Sequence, residues 1–591
     1  MNALTDRLLR RKLVQWAVTY LAAAWLLLQV LDFLAQNFAW PVLVIRAATV
    51  LLAVGFLATL VLAWYHGEKG RQRVSGAELL ILTALLVLAG VLLGILRDRA
   101  GRQQEAIPPG IGETAERRAE VAAVLASVPD HSLAVLPLAN VSGDSASEYF
   151  SDGITEEILN AVARVPGLKV AARTSSFAFK GRNQDIAEIA AALRVAHVLE
   201  GSLQRTNRQT RITVKLVDAR TGYQLWSERY DRDAADIFAV QDEIARSVTA
   251  ALRVALTGEA EPPVEAPTRN VRAHDLYLQG LFHWHQRTAD DLRLALRYFR
   301  EAAVEDPDYA KAHAGVALTL AILPGFARTT PETAEARKAG LRALELNADL
   351  PEAHAALGQI EQNHLRDLAR ARSHYERALA LSPGYATAHQ WMAEILLFEG
   401  RLAESRAELE RAHELDPLSV IINGDLGLQR LRDGEIERAI DQLRRTVSLN
   451  PRAPLSYEFL AQALAAAGRT DETARAVEQW ANGMGYSLDI IAPITTGLRA
   501  PSAKNNALSA IAQHEANGRL PSRDAAFLYA LLGDMDAALS SLERAAADPA
   551  VHIDLIYGMF EPVYDPIRRH PRFLRIFETL GLEEAVSRTK R

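Results

Sequence analysis

Three long apolar runs occupy the first hundred residues of the chain. Leu13–Leu31 and Ala47–Tyr65 contain no charged residue, and Leu79–Ile95 is equally apolar. A helix needs about 20 apolar residues to cross the hydrocarbon layer of a bilayer. A secretory signal peptide has one shorter apolar region and a cleavage site, so three runs in succession argue against one. The pattern predicts an anchor of three transmembrane helices over residues 1–97.

Basic residues beside these runs predict how the anchor is oriented. Four precede the first run: Arg7, Arg10, Arg11 and Lys12. Three more separate the second run from the third: Lys69, Arg71 and Arg73. Because basic flanks stay in the cytoplasm, we expect everything after Arg97 on the far side of the membrane. Three arginines after the third run favour the opposite orientation: Arg97, Arg99 and Arg102.

Residues 98–130 are polar and contain proline and glycine, which predicts a linker with a short helix near Ala115–Ser127. Residues 131–256 then alternate short apolar runs with helical spacing, in the order β-α-β-α-β-β-β-α. The predicted strands are Ser132–Leu138, Leu168–Ala172, Val198–Gln204, Arg211–Asp218 and Tyr223–Tyr230. The predicted helices are Ser151–Val165, with Asp152 as its cap, Ile186–Leu193 and Ile237–Leu256. This order predicts a small α/β domain with helices on a mixed sheet.

Four short motifs fall within this domain: Ala134-Val-Leu-Pro, Glu148-Tyr-Phe-Ser-Asp-Gly-Ile-Thr-Glu, Leu199-Glu-Gly-Ser-Leu and Leu225-Trp-Ser-Glu-Arg-Tyr-Asp-Arg. With these motifs in this order, residues 131–256 resemble a bacterial domain related to the N-terminal domain of TolB and to FlgO. The resemblance implies an envelope-associated fold without enzymatic activity. Such domains precede tetratricopeptide repeats in membrane proteins and follow cyclase or winged-helix output domains in others.

After a Pro-rich hinge at residues 257–268, the chain becomes self-similar. Ala371-x3-Tyr375-x2-Ala378-x4-Pro383 is one instance of a pattern that recurs through residues 269–480. Pro383, Pro417 and Pro451 are each 34 residues apart. This period and pattern resemble the tetratricopeptide repeat (TPR), a pair of helices that stacks into an all-α solenoid. Residues 481–591 are predicted to hold an irregular segment, a final repeat around Ala538 and Leu542, and a C-terminal cap.

The composition and motif content of the chain exclude several classes of function. The chain has 591 residues and a formal net charge of -6, which gives no basic footprint for nucleic acid. It contains no cysteine, so disulfides, thiolate nucleophiles and Cys-based zinc sites are excluded. Phosphate-binding glycine loops, H-E-x-x-H and G-x-S-x-G are also absent from the sequence. We therefore predict no catalytic, cofactor-binding or metal-binding residues, and no enzyme.

Two groups of polar residues invite a chemical role. His313, His354 and His389 each follow an alanine at the equivalent point of successive repeats, which favours a structural role. His283 and His285 are two apart on a predicted helix and therefore face different directions, which disfavours a metal site. Asp152, Glu156 and Glu157 are interpreted as capping carboxylates at a helix start, with a ligand or acid–base site as the alternative.

The first helix of each repeat remains as the candidate binding surface. The resemblance implies a concave face that holds an extended or helical peptide. Alignment of the repeats places these residues on it: Gln359, Asn363, Gln390, Glu394, Arg432, Glu458 and Gln462. We thus expect a scaffold in a bacterial inner membrane that binds an envelope protein or peptide from the periplasm, with the bilayer as its second partner. The alternative is a non-catalytic sensor that couples an envelope signal to a cytoplasmic protein.

Overall fold

The computed structural model describes residues 111–582 of the chain, apart from 143–146, 164, 166, 183, 206–208, 234–246, 248–267, 269, 328, 330, 549 and 551. Of residues 1–110 it describes Ala24, Leu52 and Phe56. Apart from these three residues and Ser247, the three predicted spans and the predicted helix Ile237–Leu256 therefore lie outside the described residues. The chain divides into two bodies, Met1–Ala119 and Glu120–Arg591, and the second contains the α/β domain and the helical repeats. Helix α1 (Ile111–Ala126) agrees with the short helix expected in the linker.

The α/β domain is built on a mixed sheet. Its strands are β1 (Ser132–Val135), β2 (Ala139–Asn140), β3 (Lys169–Val170), β4 (His197–Arg205), β5 (Gln209–Asp218) and β6 (Gln224–Asp233). Its helices are α2 (Glu148–Val162), α3 (Arg173–Phe177) and α4 (Ile186–Leu193). The sheet order is β3-β1-β4-β5-β6, and β2 pairs with β4. Strand β1 is parallel to both of its neighbours, whereas β4, β5 and β6 run antiparallel. The predicted mixed sheet is confirmed.

The alternation of side chains along the strands explains the two layers of helix. Leu199 and Leu203 of β4 face one side, where they join Ile154 and Ile158 of α2 in one buried cluster. Val198, one residue out of phase, joins α4 in a second cluster on the other side of the sheet. Because strand side chains point to alternate faces, one short strand can bind helices on both.

Eight helix pairs follow within the described residues, and we number them as repeats I to VIII. The first helices are α5 (Val271–Gln286), α7 (Ala310–Ala327), α9 (Pro351–Ile360), α11 (Ala386–Phe398), α13 (Val420–Arg432), α15 (Pro454–Ala466), α17 (Leu488–Arg499) and α19 (Ser522–Leu531). The second helices are α6 (Ala289–Glu305), α8 (Thr333–Leu346), α10 (Leu368–Leu381), α12 (Leu402–Leu415), α14 (Ile436–Leu449), α16 (Thr470–Gly483), α18 (Lys504–Ala516) and α20 (Met535–Ala546). The chain ends its described part with α21 (His552–Met559), a 3-10 turn (Pro562–Ile567) and α22 (Pro571–Thr579). The predicted helical solenoid is confirmed.

Repeat VII lies where the sequence predicts an irregular segment. Helices α17 and α18 form a pair there, although Pro493 lies inside α17. The repeat pattern is hard to recognise because Ala507-x3-Ile511 is followed by His514, where repeats I to V and VIII have alanine or threonine. The difference is therefore one of side chains at a few packing positions, and the helical pairing persists.

Helix α7 is the one helix among the described residues that is long and apolar enough to cross a membrane. However, 67% of it is buried inside the molecule. Its Ala312, Ala317 and Leu320 belong to the cluster that joins neighbouring repeats. A helix that is apolar on all sides is also what the centre of a solenoid requires.

Repeat III contains one residue more between its helix starts than repeats IV to VII. Its helices begin at Pro351 and Leu368, whereas those of repeat IV begin at Ala386 and Leu402. The extra residue is accommodated in a π-helical turn, Glu361–Leu365, that continues α9. A π turn widens the hydrogen-bonded ring by one residue and so absorbs an insertion without ending the helix.

Glycines on the first helices allow the two helices of a repeat to approach. A Cβ atom on Gly358 would lie 2.4 Å from the Tyr375 ring, and one on Gly427 would lie 2.5 Å from Leu443. Both partners occupy the large apolar position of the repeat pattern, and both are fully buried. The glycine and the large residue are therefore complementary halves of one contact.

We expect Gly358→Ala to destabilise the array by about 1–3 kcal/mol, because overpacking forces Tyr375 out of its place. This cost exceeds the gain of up to about 1 kcal/mol that alanine brings to a helix. The urea midpoint of the purified chain measures the effect. Gly384→Ala is the matched control, since no heavy atom lies within 4 Å of a Cβ there. Equal midpoints for the two variants would contradict this packing account.

Candidate binding groove

The first helices of the repeats form a groove that the chain's own C-terminal residues occupy. We define the groove as the surface that contacts the C-terminal segment, His552–Ile567. It is formed by α7, α9 with the π turn that follows it, α11, α13, α15 and α19. Leu555, Ile556 and Met559 of the segment are buried. The rings of Phe398 on α11 and Phe560 lie 4.6 Å apart between centroids. The segment is thus held by apolar burial before any polar contact is considered.

A polar pocket in the groove surrounds the hydroxyl of Tyr557. Gln362 Nε2 donates a hydrogen bond to this hydroxyl at 3.0 Å. The hydroxyl lies 2.9 Å from Glu394 Oε2 and 3.2 Å from Asn363 Oδ1, so its single proton is shared between acceptors on two neighbouring repeats. Behind it, Asn363 Nδ2 donates to Gln359 Oε1 at 2.6 Å, and Gln359 donates to the hydroxyl of Tyr375. The pocket therefore satisfies both the donor and the acceptor of one phenol.

A second pocket receives the main chain and carboxylate that follow. Arg432 Nη2 donates to the carbonyl oxygen of Phe560 at 3.0 Å. Gln462 Nε2 donates to Glu561 Oε2 at 2.6 Å, and Gln462 Oε1 accepts from the Val563 amide at 3.4 Å. Arg523 on α19 contacts Glu561 at 3.1 Å and also contacts Glu458 on α15. Carboxamides and guanidinium groups thus bind main-chain and carboxylate atoms of a peptide segment.

All seven residues of the predicted binding surface lie on or directly behind this groove. Asn363, Glu394, Arg432 and Gln462 contact the C-terminal segment. Gln390 donates to Glu394 and to Asp425, Gln359 supports Asn363, and Glu458 contacts Arg523. Gln362 was not predicted, because the extra residue of the π turn shifts it out of the common register of the repeats. Whether these residues also bind a partner stays a prediction.

The Tyr557 pocket contains two carboxyl groups whose ionisation is unfavourable. Burial raises the pKa of Glu394 to about 8, and the nearby Asp425 adds to the shift. Burial likewise raises the pKa of Asp425 to about 7. Both carboxyls receive hydrogen bonds from the Gln390 amide, but neither contacts a cation directly among the described residues. The pocket is therefore most stable when at least one of its carboxyls is protonated.

We expect the stability of the chain to fall as pH rises from 6.5 to 8.5. The pKa of Glu394 is about 8 in the fold and about 4.5 in an unfolded chain, so the folded state binds its proton more tightly. Its contribution is complete below about pH 4.5 and is lost as pH rises towards 8, at up to about 1.4 kcal/mol per pH unit. Urea midpoints of wild type and Glu394→Gln measure this. The variant should lose less stability across this range, and parallel losses would contradict the assignment.

The α/β domain is docked on the first repeats through buried ion pairs. Lys311 Nζ on α7 lies 2.6 and 2.9 Å from the two carboxylate oxygens of Glu157 on α2. Glu156, one residue earlier, lies 3.0 Å from His285 Nε2 and 3.0 Å from Arg173 Nε. Burial alone would oppose ionisation of Glu156, but His285 and Arg173 lower its pKa to about 2. Gly153 allows the close approach, since a Cβ there would lie 2.6 Å from Leu278.

A second contact ties the same domain to the end of repeat IV. The Ala172 amide donates to the carbonyl of Leu415 at 2.7 Å, and Ser175 Oγ donates to Asp416 at 2.5 Å. The Leu418 amide donates in turn to Ser175 Oγ. Because repeats I, II and IV all contact the domain, the domain and the array form one continuous structure.

The interpretation of Asp152, Glu156 and Glu157 as capping carboxylates is wrong. Helix α2 begins at Glu148 after Ser147, so these residues lie inside it rather than at its start. All three are buried, and Asp152 accepts from Lys180 Nζ at 2.6 Å. Their partners come from α3, from the turn after it and from the array, which explains why local spacing in the sequence could not identify them.

The repeat histidines have a structural role, as predicted. Nε2 of His313, His354 and His389 lies 2.9, 3.1 and 3.0 Å from the carbonyl oxygen six residues earlier. Asn423 and Tyr457 make the same contact in repeats V and VI. His283 and His285 face different partners, Asp291 and Glu156.

Two family models match parts of the chain. A family model described as a tetratricopeptide repeat matches residues 364–419, which span parts of repeats III and IV. The C-terminal part of the chain is a tetratricopeptide repeat array. A second model, the second domain of a HilA/YgeH-like transcriptional regulator, matches residues 129–247. The match covers the α/β domain, and the resemblance of that domain to TolB and FlgO stays a prediction.

One curated relative and two solved structures complete the comparison. The relative is "Putative adenylate cyclase 3" of Rhizobium meliloti (strain 1021), 40% identical over 230 residues, or 38% of this chain. The chain spans 39% of that relative's length. A thermophilic TPR protein of Thermus thermophilus is 19% identical and covers 32% of this chain and 98% of its own, with a TM-score of 0.28. Yeast Tom70 is 15% identical, and the match covers 52% of this chain and 67% of the Tom70 chain, with a TM-score of 0.33.

Proposed function

We propose that the chain is a membrane-anchored scaffold whose TPR groove binds a segment of another protein. One observation carries the proposal: the groove already binds a peptide segment, the chain's own, through its main chain and its side chains. Arg432 contacts a carbonyl oxygen, Gln462 contacts an amide and a carboxylate, and Glu394 contacts a phenol. The carbonyl oxygen and the amide are groups that every protein segment offers, and the carboxylate and the phenol are common side-chain groups.

Membrane attachment supplies the second half of the proposal. The three apolar runs of residues 1–97 would anchor the chain in a bacterial inner membrane, with the array in the periplasm. A scaffold in this position would hold an envelope protein close to the membrane surface. No nucleic acid, cofactor or reaction is part of the proposal.

A signalling role is the second candidate, and the docked domain favours it. The comparisons name a putative adenylate cyclase and a transcriptional regulator. Both names describe proteins that produce a signalling output. In this chain the predicted spans precede the α/β domain. Binding at the array could therefore reach the membrane helices through the ion pairs of Glu156 and Glu157, and a separate cytoplasmic protein would supply the output.

Photo-crosslinking in cells tests the scaffold. A photoreactive residue at Leu365, which is 43% exposed in the π turn that also contains Asn363, should form an adduct with one envelope protein. The same residue at Val304, which is 80% exposed on a second helix, is the matched control. The proposal predicts an adduct at Leu365 that is absent at Val304. Identical adduct patterns at the two positions, or none at either, would refute it.

Cysteine labelling tests the orientation, because the chain has no cysteine of its own. Tyr223 is 75% exposed in the turn before β6, so Tyr223→Cys should react freely. With only the outer membrane permeabilised, a membrane-impermeant maleimide should label this position if the array is periplasmic. Labelling that appears only after the inner membrane is lysed would place the array in the cytoplasm.

A further inference from the structure

We propose that the groove recognises a partner segment with a tyrosine and, one turn later, a glutamate, and that this segment binds by displacing the chain's own C-terminal segment. The inference rests on the proposed function and specifies the chemistry of its ligand. Tyr557 and Glu561 are the template, and they are four residues apart.

The first specificity element is the pocket for an aromatic hydroxyl. Gln362 and Asn363 come from the π turn of repeat III, and Glu394 comes from repeat IV. The phenol ring packs beside Phe398, at 5.7 Å between centroids. A phenylalanine would fill the apolar part, but Asn363 Oδ1 would lose its donor, and the Gln362 amide and the Glu394 carboxyl would each lose one of their hydrogen bonds. Sites built around a hydroxyl discriminate strongly against the analogue that lacks it.

The second specificity element is the pocket for a carboxylate. Gln462 and Arg523 reach Glu561 from repeats VI and VIII, and all three side chains are buried. Between the two pockets, Arg432 binds a main-chain carbonyl, which any residue supplies. Tyr557 and Glu561 lie one turn apart, since the Phe560 and Glu561 amides donate to the carbonyl oxygens of Tyr557 and Gly558. A ligand must therefore place its two side chains on a single tight turn.

Two features make the docked segment replaceable. Helix α21 has only eight residues, and a helix of that length is not stable alone, so an undocked segment does not keep a competing structure. Docking also places Glu561 beside Glu458, with one guanidinium between them. Part of the apolar stabilisation is therefore offset by repulsion between these two buried carboxyl groups.

A labelled peptide with the sequence of residues 550–567 is the probe, and the full-length chain is the receptor. Wild type should bind it weakly, because the groove is occupied. A chain with Tyr557→Phe and Glu561→Gln holds its own segment less firmly, so we expect it to bind the peptide at least 10-fold more tightly. A peptide carrying those same two changes should lose at least 10-fold in affinity for that chain.

Two further chains make the result decisive. Adding Arg432→Ala and Gln462→Ala to the double variant should abolish binding, whereas adding Val304→Ala, on the exposed side of α6, should leave it unchanged. If circular dichroism shows the double variant to be unfolded, Tyr557→Phe alone is used, with the same order of affinities expected. Equal affinities for the two peptides, or equal binding by wild type and variant, would overturn the proposal.

Competition in the crosslinking experiment separates this inference from the proposed function. If the Leu365 adduct forms and excess peptide does not reduce it, the ligand chemistry is wrong while the scaffold stands. If the peptide binds as expected and no Leu365 adduct forms in cells, the ligand chemistry stands and the scaffold is wrong. Loss of the adduct on adding the peptide, but not on adding its altered form, supports both.

Discussion

Arg523→Met should lower the free energy of unfolding of the C-terminal repeats by about 3–5 kcal/mol, since it removes the cation from a buried group of carboxylates. Arg523 is 5% exposed and contacts Glu458, Asp524 and Glu561, which are also buried. Burial already raises the pKa of Glu561 to about 8, and Glu458 adds to that shift. Without the guanidinium, these carboxyls must take up protons or leave the interior. Urea unfolding and hydrogen exchange of the C-terminal segment measure the effect.

The matched control is Arg519→Met. Arg519 lies 2.8 Å from Asp489 in an exposed pair, and such pairs contribute less than about 1 kcal/mol. Adding Glu458→Gln and Glu561→Gln to Arg523→Met should restore part of the lost stability, because two of the unpaired charges are then gone. A loss no greater than that of Arg519→Met would show that Arg523 does not hold the segment.

Lys311→Met is expected to weaken the docking of the α/β domain by about 3–5 kcal/mol, because Glu157 would remain buried without its partner. Both residues of the pair are 8% exposed. No other cation contacts Glu157 among the described residues. Hydrogen exchange should increase in α2, whose buried face otherwise packs on α5 and α7. The urea midpoint of the whole chain should fall with it.

Arg342→Met tests whether the effect belongs to the buried pair. Arg342 lies 2.9 Å from Asp308 on the exposed surface of repeats I and II, so its removal should change little. Combining Lys311→Met with Glu157→Leu should recover most of the stability, since an apolar pair can replace a buried ion pair. If the double variant is as unstable as Lys311→Met, the loss comes from packing rather than from the unpaired charge.

The repeat array could be predicted from the sequence because its contacts are local. Gly358 meets Tyr375, and Gly427 meets Leu443, within one helix pair. Contacts at such short separations produce a periodic pattern in the sequence. Aligning the repeats by this pattern also predicted which residues lie on the groove. The sheet could be predicted for a similar reason, since alternation along β5 reflects its two faces.

The occupant of the groove could not be predicted, because its contacts join distant parts of the chain. Tyr557 and Asn363 are separated by 194 residues, and Lys311 and Glu157 by 154. No local pattern reveals such pairs. Glu156 and Glu157 were misinterpreted as capping carboxylates for the same reason, since the cations that make their burial possible lie on other elements. Gln362 was missed for a local reason, the single extra residue of the π turn.

The C-terminal segment also has a mechanical consequence. Ile553 lies beside Gly325 in repeat II, Tyr557 contacts repeats III and IV, and Glu561 contacts repeats VI and VIII. A solenoid whose repeats contact only their neighbours can stretch and twist elastically along its length. This segment acts as a strut across the coils, so the spacing of distant repeats is fixed by direct bonds. Release of the strut would change the stiffness of the whole array at once, without altering any single repeat.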